Sequence, residues 1–201
     1  MRKMTLSVLA MPVVFALGRV SVSVQEIQPS CTGCSATYVS AEEIERYAAV
    51  GRAEQIIDQQ VRSIDIGKTN LQMAVAYRGK LEAPLPNSVA EHDLVTEVYY
   101  VLSGSGTNRT GPDLVGKKRR PADNAAVRFL NGPGNNAADI RDAATHELKP
   151  GDVFVIPAGT GHQFTKIDDH ITYLMVRVDP DKVVPLMDAA ASRAYLAEHG
   201  R

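Results

Sequence analysis

The clearest alternation of apolar and polar positions lies between Lys149 and Phe164. There a Pro150-Gly151 turn opens the run Val153, Phe154, Val155, Ile156, and a second turn, Pro157 to Gly161, sets His162 at the start of another strand. Similar short runs recur upstream. Val61 to Ile66 reads as a strand, and in the next, Leu71, Met73, Val75 and Tyr77 alternate with Gln72, Ala74, Ala76 and Arg78. Val89 to His92 and Val95 to Leu102 follow, the latter stopped by Ser103-Gly104-Ser105-Gly106, and Ile171 to Val178 ends at Asp179-Pro180. Helical spacing marks the flanks. Ser40 with Glu43 forms a capping box ahead of Ile44, Tyr47, Ala48 and Gly51, so a helix is expected from Ala41 to Gln59, and an Ala-rich helix is expected from Pro185 to His199. Between Thr107 and Ala144 the pattern lapses into Gly/Pro/Asn-rich loop around one expected strand, Ala126 to Leu130; a loop this long is usually functional or disordered. Many short strands between two helical flanks imply a small β-barrel or double-sheet roll.

Composition narrows this reading. With 201 residues and 44% hydrophobic content, the chain suits one domain with a sizeable core. A formal charge of -1 leaves no electrostatic footprint for nucleic acid. Met1-Arg2-Lys3-Met4 followed by the apolar run Thr5 to Gly18 has the form of a signal peptide, with Ser21-Val22-Ser23 as small residues for cleavage. That run is too short for a membrane span, so no stable span is expected after processing, and a periplasmic or secreted protein is. Residues 1–23 carry three basic and no acidic residues, so their removal takes the balance from -1 to -4. Cys31-Thr32-Gly33-Cys34 lies just beyond; a structural disulfide is the first reading, with redox work or metal binding behind it.

Candidate chemistry sits in two stretches, His92 with Glu97 and His162. Imidazole and carboxylate together suit a divalent transition metal, Fe, Mn, Ni, Co or Zn, and three protein ligands leave positions open. By strand alternation His92 shares a face with Ala90, and Glu97 shares one with Tyr99 and Val101.

These same residues carry a resemblance. Ala90-Glu91-His92-Asp93-Leu94-Val95-Thr96-Glu97, continuing to Gly104, resembles the first motif of the cupin superfamily, H-x-H-x(3,4)-E-x(6)-G. Gly151-x(5)-Pro157-x-Gly159-x(2)-His162 matches the second, G-x(5)-P-x-G-x(2)-H, and together they cover roughly residues 60–178. The first motif histidine falls on Ala90, and the position of a frequent asparagine, four after the last histidine, holds Lys166. The resemblance implies an all-β cupin jelly-roll barrel at residues 60–180, between a tail and helix at 24–59 and a C-terminal helix at 181–201 that lie outside it. A homodimer through such flanks is expected. It also implies His92, Glu97 and His162 as metal ligands, with Tyr99 turned toward the metal as a candidate general acid or base and Phe164 as pocket wall. The function implied is a metal-dependent enzyme on a small organic acid, phenol or carbonyl compound. Dioxygenase chemistry ranks ahead of isomerase, decarboxylase or lyase chemistry; the other reading is a non-catalytic exported cupin that binds a sugar or small acid. Lys117-Lys118-Arg119-Arg120 reads as a solvated loop cluster or an attractor for anionic substrate, His146 and His170 as surface residues, and Asn108-Arg109-Thr110 as a glycosylation sequon.

Overall fold

The computed structural model describes residues 27–200; the signal-peptide reading at 1–23 lies outside the described residues. Two antiparallel sheets share one strand. The first contains β1 (Asp58–Asp65), β2 (Asn70–Leu81), β4 (Thr96–Gly104) and β11 (Val153–Ile156). The second contains β3 (Val89–His92), β5 (Gly106–Gly111), β7 (Lys118–Arg119), β8 (Gly134–Ala137) and β10 (Ala144–Leu148). The shared strand is β12 (Gly161–Asp179), 19 residues long, which pairs with β3 and β5 at its start and with β2 and β4 beyond an irregularity between Ile167 and His170. A small ribbon, β6 (Leu114–Val115) with β9 (Asp139–Ile140), lies outside both sheets. Two facing sheets joined in this way form the expected all-β cupin barrel.

Strand β2 is covered on both faces. Ala74 and Ala76 point into the barrel with Tyr99, Phe164, Tyr173 and Met175, whereas Val75 packs outward with Val61 of β1 against Tyr47 and Leu196 of the helical layer. Small inward residues on β2 leave room inside, and the apolar bulk on its other face docks α1 (Ala41–Glu54) and α2 (Ala189–His199). On the outer face of β4 and β11, Tyr100, Leu102, Val153 and Val155 are exposed.

Four expectations are corrected. The first helix ends at Glu54 because Gln55 takes a left-handed conformation, and Asp58 and Gln59 already pair with Ala76 and Val75. The second helix begins at Ala189 rather than Pro185; Asp188 caps it by accepting from Ala190 and Ala191. The stretch 107–144 is not structureless: it supplies all or part of six short strands, while the expected strand Ala126–Leu130 is a π-helical turn with Phe129 exposed. Asn108 of the sequon is fully buried on β5, opposite Phe164, where no glycan can reach it. Cys31 and Cys34 form the expected disulfide.

Candidate functional site

The sheets close on each other where β3, β4 and β12 meet. His92 ends β3 opposite Gly134, and Gly134 has no room for a side chain: a Cβ there would stand 2.2 Å from the Glu91 carbonyl oxygen. Across the turn, Gly159 adopts φ +79°, open to glycine, and its N–H donates to the His92 carbonyl at 2.7 Å, tying the two motif segments together. His162 starts β12 directly opposite Ala90. Glu97 faces inward from β4, paired with Arg177 on one side and Ile156 on the other.

His92, Glu97 and His162 are buried, and each offers a ligand atom within 4.8 Å of the others. His92 Nε2 stands 3.6 Å from Glu97 Oε1, and His162 Nε2 stands 3.5 Å from Glu97 Oε2. Two donors each about 2.1 Å from an ion and about 110° apart as seen from it stand about 3.4 Å apart, so these spacings suit one divalent cation. Ala90 lines the cavity in front of both histidines, so the missing first-motif ligand leaves space rather than an apolar plug.

The electrostatics of the three differ. His162 Nδ1 lies 3.3 Å from the Thr160 carbonyl, so that nitrogen carries the proton and Nε2 turns its lone pair to the site. His92 Nδ1 faces Arg120 Nη1 at 3.4 Å. A guanidinium only donates, so neutral His92 then carries its proton on Nε2, and ligation through Nε2 requires Arg120 to withdraw. Arg120 keeps other acceptors, Asn136 Oδ1 at 2.7 Å and the Asn135 carbonyl at 2.9 Å. Glu97 Oε1 accepts from Asn131 Nδ2 at 2.8 Å and Arg177 Nε at 3.0 Å; among the described residues Oε2 accepts only from the Tyr99 hydroxyl, at 2.8 Å. The donor set therefore fits a divalent ion, with His162 Nε2 and Glu97 Oε2 already available and His92 conditional on Arg120.

Burial would raise the Glu97 carboxyl, but His92, Arg177 and His162 outweigh it and hold it well below the usual carboxylate range. Burial pulls the His92 imidazole down to about 3 and lowers His162 as well, in both cases against the pull of Glu97. Both imidazoles are held below their ordinary value, and Arg177 is the permanent cation beside Glu97. Burial and the adjacent Glu97 carboxylate push the Tyr99 phenol well above its ordinary value, opposite to the lowering that a cation would bring. Tyr99 here holds its proton toward Glu97. Burial also raises Asp58, which shares Arg177 with Glu97.

These depressed imidazoles set a pH dependence. Between about pH 3 and about pH 6.5 the unfolded chain binds a proton that folded His92 refuses, so stability rises with pH by up to about 1.4 kcal/mol per unit, and the lowered His162 adds in the same direction. Urea unfolding of chelator-treated protein at pH 7, 6 and 5 is expected to show that fall, and His92→Asn to reduce its slope. A flat profile in the native protein would contradict the burial argument.

The structure brings His92, Glu97, His162 and Tyr99 together and sets Phe164 in the wall of an adjoining cavity. Lys166 does not join them; it is exposed and paired with Asp168. The 117–120 run is no free cluster: Lys117 and Arg119 pair with Glu91 and Asp93, and Arg120 enters the site. His146 is bound to Thr110 and packs on Phe154, and His170 pairs with Asp169. Sequence reasoning had Arg120 only as part of a charged loop run and missed Arg177, Asn131 and Asp58. Only Arg177 left a signal: it continues the inward phase of Tyr173 and Met175, and a buried arginine needs a buried acid.

A family model described as an AraC-like ligand binding domain matches residues 140–200, a stretch that contains His162 but neither His92 nor Glu97. A search of curated proteins finds no match. Among solved structures the chain is similar to a protein of Bacillus halodurans, at 15% identity over 75% of this chain and 83% of that one, with a TM-score of 0.38. It is similar also to a cupin protein of Bacteroides fragilis, at 18% identity over 58% and 72%, with a TM-score of 0.33. A third is a Cupin 2 conserved barrel domain protein of Salinispora arenicola, at 12% identity over 71% and 83%, with a TM-score of 0.32. Likenesses this distant carry no residue role across.

Proposed function

We propose, from the barrel and the two cupin-like motif segments, that the chain is a metal-dependent cupin enzyme acting on a small organic acid, phenol or carbonyl compound. The observation that carries this reading is the convergence of His92, Glu97 and His162 at a cavity that the small side chain of Ala90 also lines. The two Nε2 atoms and Glu97 Oε2 would hold a divalent ion, Fe, Mn, Ni, Co or Zn, which when bound supplies Lewis-acid or O2 chemistry beside the substrate. Dioxygenation ranks first because two histidines and one carboxylate leave coordination positions open, ahead of isomerisation, decarboxylation and lyase chemistry. Asn131 and Arg177 fix one oxygen of Glu97 and Tyr99 orients the other. Tyr99, whose hydroxyl donates to Glu97 Oε2 and whose ring lines the cavity, is the candidate proton donor.

A second reading, a non-catalytic binder of a sugar or small acid, is favoured by Arg120 against His92 and Arg177 against Glu97, since both guanidiniums oppose a cation. Metal analysis of protein purified without added metal, beside His162→Ala, separates the two. Stoichiometric transition metal, lost in a folded His162→Ala variant, is the expected result. A folded wild type that stays metal-free even after incubation with each candidate ion overturns the enzyme reading and leaves the binder.

A further inference from the structure

Two cavities meet at Ile57, Arg78, Ala90 and His162. The smaller, about 300 Å³, contains the ligand atoms; the larger, about 480 Å³, runs outward past Leu81, Phe164 and Ile167 to a rim exposed at Lys80 and Leu85. The larger one is lined by three basic residues, Arg52, Arg78 and Lys80, and by no Asp or Glu. Arg52 and Lys80 carry partners of their own, Glu45 at 2.5 Å and Glu82 at 2.8 Å. Arg78 has no carboxylate within 4.0 Å among the described residues. Its Nε donates to the Tyr173 hydroxyl at 3.1 Å and its guanidinium lies over the Phe164 ring, 5.1 Å from the centroid, so the fork is held in place. Its two terminal nitrogens meet no acceptor among the described residues. A fixed, half-buried guanidinium on a cavity wall with free terminal N–H groups matches a carboxylate, and a ligand carboxylate supplies the acceptors those groups lack.

We propose that Arg78 anchors the carboxylate of a monocarboxylic acid substrate whose apolar tail lies in the larger cavity against Leu81, Phe164 and Ile167. The bound acid then sits beside the open space at Ala90, next to His162. This inference rests on the metal-dependent reading of the same site and narrows its substrates to acids with an apolar tail. Neutral carbonyl compounds and phenols without a carboxylate are excluded.

Calorimetric titration of butanoate, hexanoate and hexan-1-ol into wild type, Arg78→Gln and Arg78→Lys tests it, with metal content measured in each protein. Affinity is expected to rise about fourfold per methylene from butanoate to hexanoate. Arg78→Gln is expected to weaken hexanoate about 10- to 100-fold while leaving hexan-1-ol and metal content unchanged. If Arg78→Gln does not fold, Arg78→Lys carries the test: weakening of about threefold or more supports the anchor, and unchanged affinity counts against it. Hexanoate that binds Arg78→Gln as it binds wild type, or that never saturates wild type, overturns the anchor whatever the metal content. A metal-free wild type whose hexanoate binding still depends on Arg78 keeps the anchor and removes only the metal reading.

Discussion

Replacing Arg177 with methionine is expected to destabilise the protein by about 3–5 kcal/mol, the usual effect of leaving a buried ion pair with one partner. Arg177 is fully buried, its Nε bonds Glu97, one terminal nitrogen bonds Asp58 and the other reaches Gln60 Oε1 at 3.2 Å. Methionine fills much of the volume but leaves two carboxylates facing each other without a cation. Asp58, already raised by burial, would take up a proton first. A group whose folded pKa lies above its unfolded value gains stability as pH falls, so the deficit is expected to be larger at pH 8 than at pH 5. Adding Asp58→Asn removes one of the unpaired charges and is expected to recover part of the loss. Urea midpoints for the single and double variants check this; an Arg177→Met protein within about 1 kcal/mol of wild type would show that the pair is not what holds the two carboxylates in the barrel.

Ala90→His is expected to tighten divalent-metal binding roughly 10- to 100-fold, taking the effect of one ligand as at least that of a group supporting it. Position 90 faces His162 across the β3–β12 pair and lines both cavities, so an imidazole there meets space and two existing ligands. The same side chain would fill the junction of the cavities, so hexanoate affinity should fall as metal affinity rises. Competition against a chelator of known affinity measures the first and calorimetry the second. Unchanged metal affinity in a folded Ala90→His protein would mean that His92, Glu97 and His162 do not converge on one ion.

The most readable parts of this chain were those whose local chemistry leaves few options. Pro157 and the glycine at 159 permit little besides the turn that aims His162, and strand alternation put Glu97 and Tyr99 on one face, where Tyr99 bonds Glu97. The first helix read too long because Ile56 and Ile57 continue an apolar pattern across the left-handed residue Gln55, and only pairing with β2 turns Asp58 into strand. Lys118–Arg119 and Asn135-Asn136 have little strand propensity; they are strands because β3 offers Asn135-Asn136 a ladder and these in turn offer one to Lys118–Arg119, a fact of tertiary register. The residues that tune the site come from such places. Arg120 follows β7, Asn131 follows the π-helical turn and Asp58 opens β1, and none has a local pattern pointing to Glu97.

One strand length has a mechanical meaning. His162 and Arg177 lie 15 positions apart on β12, which as a straight strand would separate them by about 50 Å. Yet His162 Nε2 is 3.5 Å from one oxygen of Glu97 and Arg177 Nε is 3.0 Å from the other. The strand is therefore a belt passed around the barrel, and a single carboxylate is its buckle. Loosening either end loosens both, so the ligand site and the girth of the barrel are fastened by the same residue.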